Sequence, residues 1–180
     1  MKLNVRKLVT AAVIGALYAA LTMINPLAYG PIQFRVSEIL CILPFFFPES
    51  AVGLAVGCVI ANIIGPYGII DIVFGSLATL LAGVCTAIIG AKARKRDKIG
   101  WGACVLACLM PVLFNAPIVG GVIAYSSTEY AFLNGLVLYG AQVGLGEAVV
   151  MLVLGLPTMR YILKNPTLSE LLGRLERGRS

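Results

Sequence analysis

Thirteen of the fourteen Lys and Arg residues of this 180-residue chain fall in three short clusters, and the stretches between the clusters are almost wholly apolar. Lys2, Arg6 and Lys7 open the chain. Lys92, Arg94, Lys95, Arg96 and Lys98 form a tight run near its middle, and Arg160, Lys164, Arg174, Arg177 and Arg179 close it. Long apolar stretches pinned between basic clusters describe spans and their flanks. Composition supports this: 59% of residues are apolar and 12% charged, against about 25% charged in an ordinary soluble domain. A soluble domain of this size cannot hide that much apolar surface. A water-soluble globule, a disordered chain and a disulfide-stapled module are all excluded. What remains is an all-α, polytopic membrane protein. A spanning helix takes about 20 residues, so the length accommodates at most six.

The apolar stretches run over about 8–25, 39–47, 51–64, 69–91, 99–124 and 131–156. The first is too long for the core of a cleaved signal peptide and is read as a retained span. It carries two adjacent stripes of small residues at helical spacing, Ala12, Ala16, Ala20 and Ala11, Gly15, Ala19, which predict close helix packing in a bilayer. The second and third stretches are short and predict a tilted, partly irregular hairpin, tolerated at membrane depth only where protein buries it or it lines a cavity. Pro111 and Pro117 interrupt the fifth. The sixth is expected to end before Pro157, leaving 158–180 as a polar tail, helical at the surface. Six crossings place all three basic clusters on one side, which the charge rule makes cytoplasmic. The expectation is one six-helix transmembrane domain over 1–180, in the cell membrane, with both termini cytoplasmic. The outer loops are then 26–37, 65–68 and 125–130, and Arg35 is the one basic residue outside.

The chain has no His, which removes the commonest metal ligand and the usual general base. Cys41, Cys58, Cys85, Cys104 and Cys108 lie in apolar stretches without a C-x-x-C pair and read as small core residues. No phosphate-binding G-x-x-x-x-G-K-[ST] occurs. The run at 92–98 has no interleaved aromatic, so nucleic acid is not expected. The sequence therefore predicts a non-enzyme without metal or cofactor. The informative residues are polar ones in apolar stretches: Arg35, Glu38, Asn62, Asp71, Asn115, Asn134, Gln142 and Glu147. A charge at mid-span costs about 2.5–3.5 kcal/mol on insertion scales, so such groups pair or line a site. In the six-span topology most lie in the outer half or near the middle, as a small-molecule site open to the outside requires. Local alternatives exist. The three asparagines can bridge helices, Glu38 can pair with Arg35 three residues away, and Asp71 can cap the fourth span. Glu147, deep in the sixth span with no basic neighbour in sequence, is read as meeting a donor-rich ligand. With no internal repeat and no ATP motif, the chain reads as a receptor needing a partner. The competing reading is a small ion-coupled carrier using Asp71 and Glu147.

Six stretches, ALYAALT at 16–22, GPIQFRVSEIL at 30–40, LPFFFPE at 43–49, VGCVIANIIG at 56–65, DIVFGSLATLLA at 71–82 and GEAVVMLVLGLP at 146–157, resemble the QueT family, queuosine-precursor substrate-binding (S) components of energy-coupling-factor (ECF) transporters. The resemblance implies a six-helix S-component bundle that captures a 7-deazaguanine base from outside. It also implies docking on a transmembrane scaffold subunit and two ATPases, through an A-x-x-x-A stripe carried over to Ala12, Ala16 and Ala20. A carboxylate can accept the base's ring N–H and exocyclic amine together, a role open to Glu147, Glu38 or Asp71. Asn62, Asn115 or Gln142 can meet the ring carbonyl, and Phe34 or Tyr139 can stack on the ring. An S component for another vitamin or base is the alternative.

Overall fold

A computed structural model describes residues 5–30, 32–95 and 99–168 of the chain. Among them every regular element is helical: α1 (Val5–Met23), a 3-10 segment (Val36–Phe45), α2 (Ser50–Ile63), α3 (Gly68–Ala93), α4 (Trp101–Ser126), α5 (Phe132–Val149) and α6 (Leu156–Lys164), with a one-turn 3-10 helix at Pro26–Tyr29. Four helical stretches are long and apolar enough to cross a bilayer, Val5–Met23, Gly68–Ala93, Trp101–Ser126 and Phe132–Lys164. The two short apolar segments make the expected irregular hairpin.

Packing fixes the order of crossings. α1 and α2 run parallel, because Gly53 lies against Ala11 and Gly57 against Gly15. α3 returns antiparallel to α2, with Gly83 on Ala51, and its end reaches the end of the 3-10 segment, where the Arg94 guanidinium donates to the Phe45 carbonyl. α4 and α5 form an antiparallel pair in which Gly120 meets Gly140 and Gly135 meets Ala124. Arg160 of α6 returns to the start of α4, donating to the Ile99 carbonyl at 3.3 Å and lying 4.3 Å over the Trp101 ring. The six crossings thus bring Arg6, Lys7, Lys92, Arg94, Lys95, Arg160 and Lys164 to one end, here called the basic end. The loop residues 24–30 and 32–35, 64–67 and 127–131 lie at the far end.

The 3-10 segment is the central piece, packed on α1, α2, α3 and α4. Ten residues at about 2.0 Å rise reach about 20 Å, as far as the fourteen residues of α2 at about 1.5 Å. Neither alone matches the roughly 30 Å of hydrocarbon, but protein surrounds the irregular backbone. In a 3-10 helix, residues three apart eclipse one another, so Glu38, Cys41 and Pro44 form one buried column.

Two expectations need correction. The final helix does not stop before Pro157. A wide π turn at Val150–Gly155 joins α5 to α6, and the helix runs on to Lys164. The widened turn precedes Pro157, whose ring would otherwise clash with the carbonyl four residues back. α4 likewise passes through Pro111 and Pro117 without ending. Within the tail, 158–164 is helical as expected but continuous with the last span and with Met159 buried, and residues 169–180 lie outside the described residues. Outward faces are apolar, with Leu17, Val56, Phe74, Leu113 and Val137 among the exposed side chains. One apolar cluster fills the basic end, around Phe45, Leu54, Met151 and Met159, and another sits toward the far end, around Val119, Ile123, Tyr139 and Val143. Polar groups are buried between them.

Candidate functional site

The buried centre draws one or two polar side chains from almost every element. Tyr18 faces inward from α1 on the buried stripe Ile14, Tyr18, Thr22, and its hydroxyl donates to Glu38 Oε1. Cys41, one 3-10 turn on, donates its thiol to Glu38 Oε2 at 2.9 Å. The Glu38 carboxyl also stands beside that of Glu147 on α5. Glu147 Oε1 accepts from Asn115 Nδ2 of α4 at 2.9 Å. Two carboxyls in contact share a proton or hold a donor-rich group between them, because like charges so close cannot both stand bare.

The other half of the centre is built on Arg35. Its guanidinium lies 3.6 Å from Asp71 Oδ2, with exposures of 5% and 1% that leave little solvent between them. Arg35 Nε donates to the Ala28 carbonyl at 3.3 Å and Nη1 to Cys58 Sγ at 3.8 Å. The expected pairing of Arg35 with Glu38 is not made. Arg35 caps the 3-10 segment in extended backbone, φ −97° and ψ 100°, so the helical i, i+3 rule does not reach it, and its side chain crosses to α3. Nor does Asp71 cap α3, whose N-cap is Tyr67. Asn62 of α2 donates to the Asp71 carbonyl at 2.9 Å. Gly75 leaves room for this meeting, since an added Cβ there would lie 2.6 Å from Asp71 Oδ1 and 2.8 Å from Asn62 Nδ2.

The loop before the 3-10 segment closes over the centre. Thr22 and Ser37 hydroxyls meet at 2.7 Å, and Asn25 Nδ2 donates to the Phe34 carbonyl at 2.7 Å. The Ile32 carbonyl presses on Gly146, next to Glu147. Gln33 takes a left-handed φ of 46°, uncommon for a side-chain residue and typical of a constrained site. Besides Arg35 Nη2, which has only its ion pair with Asp71, four buried polar atoms at this centre have no hydrogen-bond partner among the described residues: Gln33 Nε2, Asn62 Oδ1, Asp71 Oδ1 and Asn115 Oδ1. Buried polar groups are normally satisfied, so this donor and three acceptors from four segments mark a place built for a polar ligand.

Of the residues singled out from sequence, Arg35, Glu38, Asn62, Asp71, Asn115 and Glu147 come together here. Phe34 is half-buried in the covering loop, and Asn134 is exposed at the start of α5. Tyr139 and Gln142 line a separate far-end pocket of about 440 Å³ instead. Tyr139 is eight residues from Glu147, about 12 Å along a helix. Tyr18, Gln33, Cys41 and Cys58 also belong to the centre, where the two cysteines, expected as small core residues, meet Glu38 and Arg35. The one available signal was Tyr18, a polar-tipped aromatic on the inward stripe of α1. Ala12, Ala16 and Ala20 are exposed, and the neighbouring Gly15 and Ala19 are buried.

The pattern of the family described as QueT transporter matches residues 8–164. Over 77 residues the chain is 40% identical to the "Queuosine precursor transporter QueT" of Lactococcus lactis subsp. cremoris (strain MG1363). That alignment covers 41% of this chain and 45% of the relative, less than half of its length. No solved structure matches.

Proposed function

The chain belongs to the QueT transporter family, and from that premise we propose that it is the membrane-embedded capture subunit of an importer for a queuosine precursor, a 7-deazaguanine base. Membership in a transporter family agrees with the expectation of a non-enzyme. The observation that carries the proposal is the closed polar centre inside an apolar bundle, with unpartnered atoms from the covering loop, α2, α3 and α4. Their chemistry suits the base. A carboxylate of Glu147, Glu38 or Asp71 accepts the ring N–H and the exocyclic amine side by side. Gln33 Nε2 can donate to the ring carbonyl, and Asn115 Oδ1 can accept a further N–H.

The fully buried centre implies that the covering loop moves for entry, and closure then strengthens every polar contact by excluding water. Uptake in this reading needs the ECF scaffold subunit and two ATPases, docked through the exposed Ala12, Ala16, Ala20 face. Both termini are cytoplasmic and the far end faces outside. The test is titration of the purified chain with a 7-deazaguanine base, guanine and adenine. The deazaguanine binds tightly. Adenine, which lacks the adjacent ring N–H and amine, does not. Adenine binding as well as the deazaguanine, or no binding of the deazaguanine, would overturn the assignment.

A further inference from the structure

The far-end pocket is a different place from the buried centre. Tyr67, Tyr130 and Tyr139 stand on its walls, with Ser126, Glu129 and Gln142 among its polar groups. Its volume of about 440 Å³ lies in the range of small-molecule sites. The walls are fixed. The Tyr139 hydroxyl donates to Glu129 Oε2 at 3.2 Å and lies 3.0 Å from Ser127 Oγ, which accepts from the Glu129 N–H at 3.3 Å. Tyr130 meets the Tyr139 ring edge-on, with centroids 6.3 Å apart. Gln142 Oε1 is buried at the wall with no hydrogen-bond partner among the described residues. Burial, then the nearby Asp71, push the Tyr67 phenol above its ordinary value, so it stays a hydrogen-bond donor.

Position links this pocket to the centre. Tyr139, Val143 and Glu147 follow one another at four-residue spacing along α5, so the pocket lies above the carboxyl centre with buried Val143 between them. We infer that the far-end pocket is a second, weaker binding station for a flat heteroaromatic base, which stacks on its tyrosines and donates N–H groups to Gln142 and Glu129 before moving to the centre. This rests on the functional reading above. Glu129 speaks against an anionic lipid headgroup as the occupant, and aromatic walls with acceptors speak for a base.

The test uses the purified full chain, a 7-deazaguanine base as probe, and the double variant Glu129→Gln, Tyr130→Ala. Both residues are exposed, so the fold is retained. Equilibrium dialysis of the wild type is expected to give two equivalents, one tight and one weak, and the double variant keeps only the tight one. In stopped-flow mixing, association and dissociation at the tight site slow together by about fivefold or more, the lower end of what losing one aromatic stack costs. A station on the path changes both rates and leaves the tight-site Kd unmoved, which a merely structural role would not do. One equivalent in the wild type, or unaltered rates in the double variant, would overturn the inference and leave the functional reading standing. No binding at all by the wild type would sink both.

Discussion

The two small-residue stripes of α1 are neighbours of nearly the same composition with opposite fates. Gly15 and Ala19 are buried, with Gly15 lying against the Gly53 backbone of α2, and Ala12, Ala16 and Ala20 are exposed one residue round the helix. The difference lies in the partner. α2 offers Gly53 and Gly57 at the same four-residue spacing, so two backbones approach as only small residues allow. No described helix offers a matching face to the outward stripe. Spacing thus specifies that a helix can be approached closely. The surface that approaches it is specified by complementarity elsewhere.

Four substitutions break or sharpen this comparison. The largest effect is expected from Gly15→Leu. Even an added Cβ there would lie 2.5 Å from the Gly53 carbonyl oxygen, a backbone atom that cannot turn aside. Size-exclusion chromatography should show little monodisperse protein, and a normal melt would mean the inward contact is loose. Next comes Glu147→Gln in the centre that this packing supports. Gln swaps one acceptor for a donor, and loss of a charge-assisted bond costs about 1.5–3 kcal/mol, roughly 10- to 150-fold in affinity. Titration with the base checks this, with a ligand-free melt no lower than wild type. Unchanged affinity would move the assignment to Glu38 and Asp71.

A smaller effect is expected at Tyr18, which shares the inward side of α1 and holds Glu38. Tyr18→Phe removes one hydroxyl and should weaken binding by about 2- to 10-fold without changing which bases bind. Altered selectivity would make Tyr18 a ligand contact. The smallest effect on the isolated chain is expected from Ala16→Trp. Exposed substitutions usually stay within about 0.5 kcal/mol, so melting and base binding should match wild type while uptake in cells is lost. Normal uptake would remove the outward stripe from docking, and lost binding would make it internal packing.

The crossings were legible because charge is expensive in hydrocarbon, so Lys and Arg could sit only at ends and their spacing counted the spans. The same cost exposed Arg35, Glu38, Asp71 and Glu147, and the amides of Asn62 and Asn115. Cys41 and Cys58 were not legible, because cysteines populate apolar cores as readily as polar sites. Their roles arise only from what faces them. The Arg35–Asp71 pairing was hidden because the local rule assumed an α-helix where the chain is extended and then 3-10. Tyr139, a candidate for stacking, and Gln142, expected near mid-membrane with Glu147, share α5 with Glu147 but line the far-end pocket instead, because depth along the helix separates them.

The 3-10 column of Glu38, Cys41 and Pro44 has a consequence for how this chain can change over generations. With three residues per turn, inserting or deleting one residue within 36–45 swings everything beyond it by about 120°, parting Glu38 from Tyr18 or from Cys41. Three residues gained or lost restore the bearing and alter only the reach, by about 6 Å, which the turn before α2 and the covering loop can absorb. Relatives that keep this centre should therefore differ in length here in steps of three, where an α-helix would favour steps of seven.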